Sequence, residues 1–283
     1  MKLFILPFLL LPFLGFSQNE DSNNRYMDLG LTPEEEPYFI APDRPGLGES
    51  SQIVRKGYVQ IETGGNYEWT SRGDGDLDLY LKSILFNSTV VRIGLFDAFE
   101  IRLATNVQQD KFEVEGSMPG VSYSNNTNIG FTPFSIGFKA RVTNGKGWIP
   151  STALLGNLGI GRAASSEFQT SYLSPSILMP MEWDLSDKLL MTINGGVFWD
   201  GETAVPSYFG SFGFDYMLFD KVGIFLETYA NQDEQNDFQP GFNGGVIWRV
   251  LDNLQLDISS GMGLNDNMYD GFINGGLSFR LGK

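Results

Sequence analysis

The sequence predicts an all-β protein, a transmembrane antiparallel up-and-down β-barrel of about twelve strands. Three observations carry that expectation. Long stretches alternate apolar with polar residues at a period of two, the pattern of half-buried strands. Four stretches place an Asp between two such runs: GLFDAFEIRL (94–103), WDLSDKLLMTI (183–193), MLFDKVGIFL (217–226) and RVLDNLQLDI (249–258). The connections then alternate short and long, as in membrane barrels with tight turns at one end and longer loops at the other. A secreted β-sandwich is the alternative, but it has no reason to gather its short turns at one end.

Taken in order, residues 1–17 (MKLFILPFLLLPFLGFS) have a positive start at Lys2, a short apolar run, and Gly15 and Ser17 before a cut ahead of Gln18. This is the pattern of a secretory signal peptide. Pro7, Pro12 and the brevity of the run oppose an uncleaved anchor. Residues 18–56 are acidic, carry Pro and Gly and lack periodicity, so they read as an extended periplasmic segment. The barrel is then 57–283.

In GYVQIETGGNYEWT, Val59, Ile61, Tyr67 and Trp69 share one face, while Gln60, Glu62, Asn66 and Glu68 share the other. FEIRLATNVQQ divides likewise, Phe99, Ile101, Leu103 and Val107 against Glu100, Arg102, Asn106 and Gln108. Further strands are expected near 82–95, 130–142, 150–161, 170–184, 188–199, 207–219, 222–230, 241–251, 254–263 and 271–281. The turns at Asp97, Asp187, Asp220 and Asp252, with NGKG at 144–147, are the short connections, each Asp expected to cap its own turn. The long polar loops are 71–78, 110–128, 161–169, 200–207, 231–240 and 264–271. Tyr67, Trp69, Phe96, Phe99, Trp183, Trp199, Phe219 and Trp248 fall near strand ends, where barrels carry aromatic girdles.

Composition narrows the function. Across 283 residues Asp and Glu outnumber Lys and Arg by 34 to 19, a net charge of −15. That balance argues against nucleic acid, whose phosphates call for a basic surface. The chain has no His and no Cys, which removes Ser–His and Cys–His nucleophiles, the usual zinc sites, and haem held by either residue. No cofactor, metal or catalytic residue is therefore expected. A hydrolase using two carboxylates stays conceivable, but no motif supports one. GDGDLD and NQDEQND lack the spacing of a calcium loop and read as solvated loops.

The register places Glu62, Arg92, Glu100, Arg102, Lys139, Arg141, Glu182, Glu227, Tyr229, Arg249, Asp257 and Arg280 on the lumen side. A Lys or Arg on the lipid side would cost about 2–4 kcal/mol near the midplane. These groups either pair with one another to fill a narrow lumen, or line a path that selects solutes by charge. Tyr229, beside Glu227, is a candidate for contacting an apolar or aromatic solute. For Asp43, Arg44 and Pro45 two readings stand. The segment tucks into the lumen with Arg44 paired to a carboxylate such as Glu62, or it forms an ordered turn at the rim with Pro45 blocking a further strand.

The stretch APDRPGLGESSQIVRKGYVQIETG (41–64) resembles the opening of a Gram-negative family of transporters named for the meta-pathway of phenol degradation. It carries the Asp-Arg-Pro motif and a Gly-rich passage (Asp43, Arg44, Pro45, Gly46), then a strand ending Glu-x-Gly (Glu62, Gly64). SIGFKARV (135–142), FLETYA (225–230), LQLDISSGMGLN (254–265) and GGLSFRLG (275–282) fit as well, so the resemblance spans most of 41–283. It implies an outer-membrane barrel passing organic solutes, with membrane lipid, a small organic solute and, during biogenesis, the barrel-assembly machinery as partners. It leaves the solute and the oligomeric state open. The alternative function is a closed structural or adhesive barrel acting through its outer loops.

Overall fold

The computed structural model describes residues 39–74, 77–116, 125–233 and 238–282. The expected signal peptide and residues 18–38 lie outside them. The strands are β1 (Tyr58–Asp74), β2 (Leu77–Phe96), β3 (Phe99–Gly116), β4 (Asn126–Phe131), β5 (Phe134–Thr143), β6 (Ser151–Ile160), β7 (Ser174–Ser186), β8 (Leu189–Phe198), β9 (Ser207–Phe219), β10 (Val222–Asp233), β11 (Gln239–Leu251), β12 (Leu254–Gly263) and β13 (Gly271–Gly282). They make one closed antiparallel barrel of twelve staves. β4 and β5 are one stave, since β3 pairs with β4 along Val107–Phe112 and with β5 along Phe99–Ala104. Thr132 and Pro133 interrupt it, because proline has no N–H for the ladder. Closure comes from β1 against β13, from Tyr58↔Gly282 to Trp69↔Gly271.

Two long loops are shorter than expected. β1 reaches Asp74 and β2 starts at Leu77, so most of 71–78 continues the hairpin. β3 likewise runs to Gly116. The alternation persists there, with Leu79 and Leu81 pointing outward. Lys82 pairs with Glu113 across β2 and β3 at 2.8 Å, and Lys111 meets the same carboxylate at 2.5 Å. Cross-strand pairing of opposite charges thus extends strands whose polarity reads as loop.

The short turns fall at 97–98, 187–188, 220–221 and 252–253. At one of them the capping oxygen is not the Asp. Ser186 Oγ accepts the N–H of Lys188 (3.3 Å) and of Leu189 (3.2 Å). These turns share an end of the barrel with both strand termini, as Gly57 N–H bonds Gly94 O there.

Outside, the wall exposes apolar side chains along its whole girth, among them Ile136, Phe138, Ile177, Phe212, Phe214, Leu226, Val246, Ile258, Ile273 and Leu277. A water-soluble monomer rarely shows an apolar surface of that extent; a membrane-spanning barrel requires it. Of the expected girdle, Phe96, Phe219 and Trp248 are strongly exposed at the short-turn end and Tyr67 faces out near the other. Inside, the wall is polar, and residues 39–56 run through the lumen instead of ahead of the barrel. Of their apolar members Ile40, Ile53 and Val54 are almost wholly buried while Leu47 is exposed, and Leu155 and Phe225 of the wall are buried with the first three.

Candidate functional site: a plugged lumen

Residues 39–56 contain no strand or helix, so their backbone donors and acceptors need partners elsewhere. The wall supplies them. Glu62 accepts the N–H of Asp43 (3.0 Å), and Glu227 accepts those of Leu47 (2.8 Å) and Gly48 (2.7 Å). Asn194 accepts that of Glu49 (3.0 Å), Glu182 that of Ser51 (3.0 Å), and Glu100 that of Val54 (2.6 Å). The carbonyls are served by cations. Arg280 donates to Phe39 O (2.9 Å), Lys139 to Ser50 O (2.9 Å) and Arg92 to Gln52 O (2.7 Å). Hydrogen bonds to ionised groups contribute about 1.5–3 kcal/mol each, so side chains from eight strands hold the segment as a ligand is held.

Side-chain charges add a second layer. Arg92 contacts Asp43 (3.0 Å), Glu62 (2.8 Å) and Glu100 (2.7 Å). Arg102 contacts Asp43, Glu49 (3.2 Å) and Glu100 (3.4 Å); Lys139 contacts Asp43 (2.6 Å) and Glu49 (3.5 Å). Burial alone would raise the Asp43 carboxyl, but Arg92, Lys139 and Arg102 outweigh it and hold it well below the usual carboxylate range. Burial pushes Glu49 up to about 7, against the pull of Arg102.

The register positions each of these groups. Arg141 and Glu68 are half-buried, and the other lumen-side charges read from the sequence are buried with Tyr229: Glu62, Arg92, Glu100, Arg102, Lys139, Glu182, Glu227, Arg249, Asp257 and Arg280. They are not gathered at one place. Glu62, Arg92, Glu100, Arg102 and Lys139 form the cluster on β1, β2, β3 and β5. Glu182 and Glu227 face them from β7 and β10. Arg141 and Arg249 line a cavity of about 750 Å³ on the short-turn side of the segment, and the Arg249 guanidinium lies 5.9 Å from the Phe39 ring centroid. Tyr229 stands apart, toward the long loops, where its hydroxyl meets that of Tyr269.

The Asp-Arg-Pro motif lies inside the barrel, and the inward carboxylate that Arg44 meets is a different one from the example offered above. Arg44 binds Asp257 (3.0 Å) and Asn274 (2.5 Å), not Glu62. Glu62 is already occupied by the Asp43 N–H and by Arg92. Glycine explains where the guanidinium goes: a Cβ on Gly64 would stand 2.5 Å from Arg44 Nη2, and one on Gly276 would meet the same group. Those bare positions on β1 and β13 leave a slot for a planar cation against the wall.

Sequence reasoning missed the asparagines. Asn194 and Asn274 both contact the plug, and Asn243 is fully buried. Each opens an Asn-Gly-Gly triplet, at 194–196, 243–245 and 274–276. Three repeats of two glycines inside strands, where glycine is disfavoured, were a usable signal. Ser51, whose hydroxyl contacts Glu182 and Ser151 (2.9 Å), carried none. Among the described residues no three or more His, Cys, Asp or Glu side chains are arranged so that they could hold a metal ion; GDGDLD and NQDEQND lie partly outside those residues.

The sequence matches the family profile described as "Putative MetA-pathway of phenol degradation" over residues 42–281. No curated protein matches it. Among solved structures, an outer membrane channel from Pseudomonas putida F1 superposes with a TM-score of 0.57 at 13% identity, covering 84% of this chain and 99% of that one. The transport unit of the autotransporter AIDA-I from Escherichia coli gives 0.51 at 11% identity, covering 81% and 91%. At such identities the likeness is one of fold.

Proposed function

Because the chain belongs to this phenol-degradation family, with a barrel like those of outer-membrane channels, we propose that it is an outer-membrane channel for passive or facilitated passage of small organic solutes. The short turns face the periplasm and the long loops face outward. The observation that carries the reading is the manner in which the lumen is closed. What blocks it is a chain segment joined to the wall covalently only at Gly57 and otherwise held by hydrogen bonds and ion pairs, which can exchange with solute and water. Conduction needs a continuous path with contacts weak enough to release, and a segment that yields supplies one. The work is non-covalent. Tyr229, where the outer mouth narrows, is the residue for contact with an aromatic or apolar solute.

The test is conductance of the refolded chain in planar bilayers, after heat-shifted gel mobility confirms a barrel. The full chain should give small channels, and Arg44→Ala, which frees one anchor of the segment, should give larger or longer openings. A folded barrel in which neither protein conducts, and in which uptake is indifferent to Tyr229→Ala combined with Glu227→Gln, would favour the closed barrel acting through its loops.

A further inference from the structure

The plug divides the lumen into two chambers. The inner one, about 750 Å³, lies on the short-turn side. The outer one, about 210 Å³, lies toward the long loops and is lined by Leu47 and Glu49 of the plug with Leu155, Leu178, Phe198 and Phe209 of the wall. Among the described residues, Glu49 is the one that lines both. It is also the loosest member of the ionic cluster. Its side chain is 24% exposed, against 8% for Asp43, and its contacts to Arg102 and Lys139 span 3.2–3.5 Å while most of the others are 2.6–3.0 Å. In that cluster Asp43, Glu49, Glu62 and Glu100 share Arg92, Arg102 and Lys139, four carboxylates on three cations. One carboxylate is therefore in surplus, and Glu49 is the one that can leave toward a chamber.

We propose that Glu49 is the door between the chambers, and that a solute bearing one carboxylate on an apolar body opens it by taking Glu49's place on Arg102. Above pH 7, where Glu49 is ionised, the exchange swaps one carboxylate for another, so the cluster keeps its charge throughout, and no cation is left bare in a low-dielectric site. Arg102 suits the role because a guanidinium can present two parallel donors to a carboxylate. The outer chamber suits the rest of the solute. Its walls above Glu49 are mostly apolar, with Asn157 and Ser176 the polar side chains among them, and a cavity of about 150 Å³ already accommodates a benzene ring. The inference rests on the channel reading for its purpose, but the binding step stands by itself.

Benzoate is the probe and benzyl alcohol its neutral control, titrated calorimetrically into the detergent-solubilised full chain. Removing the resident carboxylate should make room for the visitor, so Glu49→Ala is expected to bind benzoate at least tenfold tighter than the unaltered protein. Glu49→Gln should fall between them, and benzyl alcohol should bind all three alike. Arg102→Gln in the Glu49→Ala background should abolish the gain. Heat-shifted mobility certifies each barrel, and Arg102→Lys, which keeps the charge without the fork, replaces the glutamine if that variant does not fold. Equal benzoate affinity in the unaltered protein and Glu49→Ala, or an equal gain for benzyl alcohol, overturns the proposal even if the protein conducts. Tighter benzoate binding in a barrel that never conducts supports the exchange site and overturns the channel reading instead.

Discussion

The lumen is obstructed at two levels by different physics, and the difference predicts which yields first. At mid-barrel the plug is held by buried charges and hydrogen bonds from strands all around the wall. At the outer mouth the obstruction is a loop. Residues 264–270 turn Met268 and Tyr269 inward, where Tyr269 packs edge-to-face on Phe272 (5.6 Å) and meets the Tyr229 hydroxyl. That loop is pinned at the rim by Arg72, which pairs with Asp270 at 2.6 Å and donates to Asp266 O at 2.9 Å, its side chain about one-third exposed. Exposed ion pairs are worth about 0–1 kcal/mol and weaken with salt. Breaking a buried one leaves a bare charge, at about 3–5 kcal/mol. The outer loop is built to open readily, and the plug to stay until something replaces its contacts.

The strongest break of that comparison is at Arg92, which alone contacts Asp43, Glu62 and Glu100. Arg92→Leu should destabilise the plugged state by about 3–5 kcal/mol, seen as a lower unfolding midpoint in denaturant and protease cleavage within 39–56. An unchanged midpoint would mean the cluster is solvated rather than buried.

Gly48→Ala is the next. A Cβ there would lie 2.5–2.7 Å from Asn194 Nδ2, Glu227 Oε1 and Ser211 Oγ, so the plug must shift away from β8–β10. Overpacking of this kind typically costs about 1–3 kcal/mol, and channel open time should rise, with the barrel's heat-shifted mobility kept.

Acidity sharpens the contrast. Docking raises the Glu49 pKa from its ordinary value of 4.5 to about 7, so the docked plug binds the extra proton. That contribution is complete below pH 4.5 and is lost as pH rises through 7. Asp43 shifts the other way, and its contribution is lost only in strong acid. Open time should therefore increase between pH 5 and pH 8, and Glu49→Gln should flatten the profile. A profile as steep in the variant would assign the titration elsewhere.

The smallest effect is expected at the mouth. Tyr269→Phe removes one hydroxyl contact and should cost about 0.5–1.5 kcal/mol, raising access of bulky solutes without changing plug protection. Raised salt should mimic it by loosening Arg72 from Asp270.

Much of the fold was legible because a barrel writes its geometry into local pattern. Alternation in GYVQIETGG and FEIRLATNV assigned the wall and lumen faces, and the turns at 97, 187, 220 and 252 marked one end. The ends of β1, β2 and β3 were misread as loops because Asp78, Lys111 and Glu113 look solvated until strand pairing sets Lys111 opposite Lys82 and brings both lysines onto Glu113. The candidate site was half legible. Register alone indicated which charges face inward, since the lipid face forbids them. It could not say that their partner is the chain's own residues 39–56.

By itself, then, the sequence determined an all-β wall with an apolar outside, a charged inside and short turns at one end, because each is fixed by neighbours a few residues apart. The tertiary structure decided that Asp43 joins Arg92, Arg102 and Lys139, that Arg44 takes Asp257, and that Glu49 stands between two chambers. Those contacts join residues about 50 to more than 200 positions apart, and only closing the barrel brings them within reach.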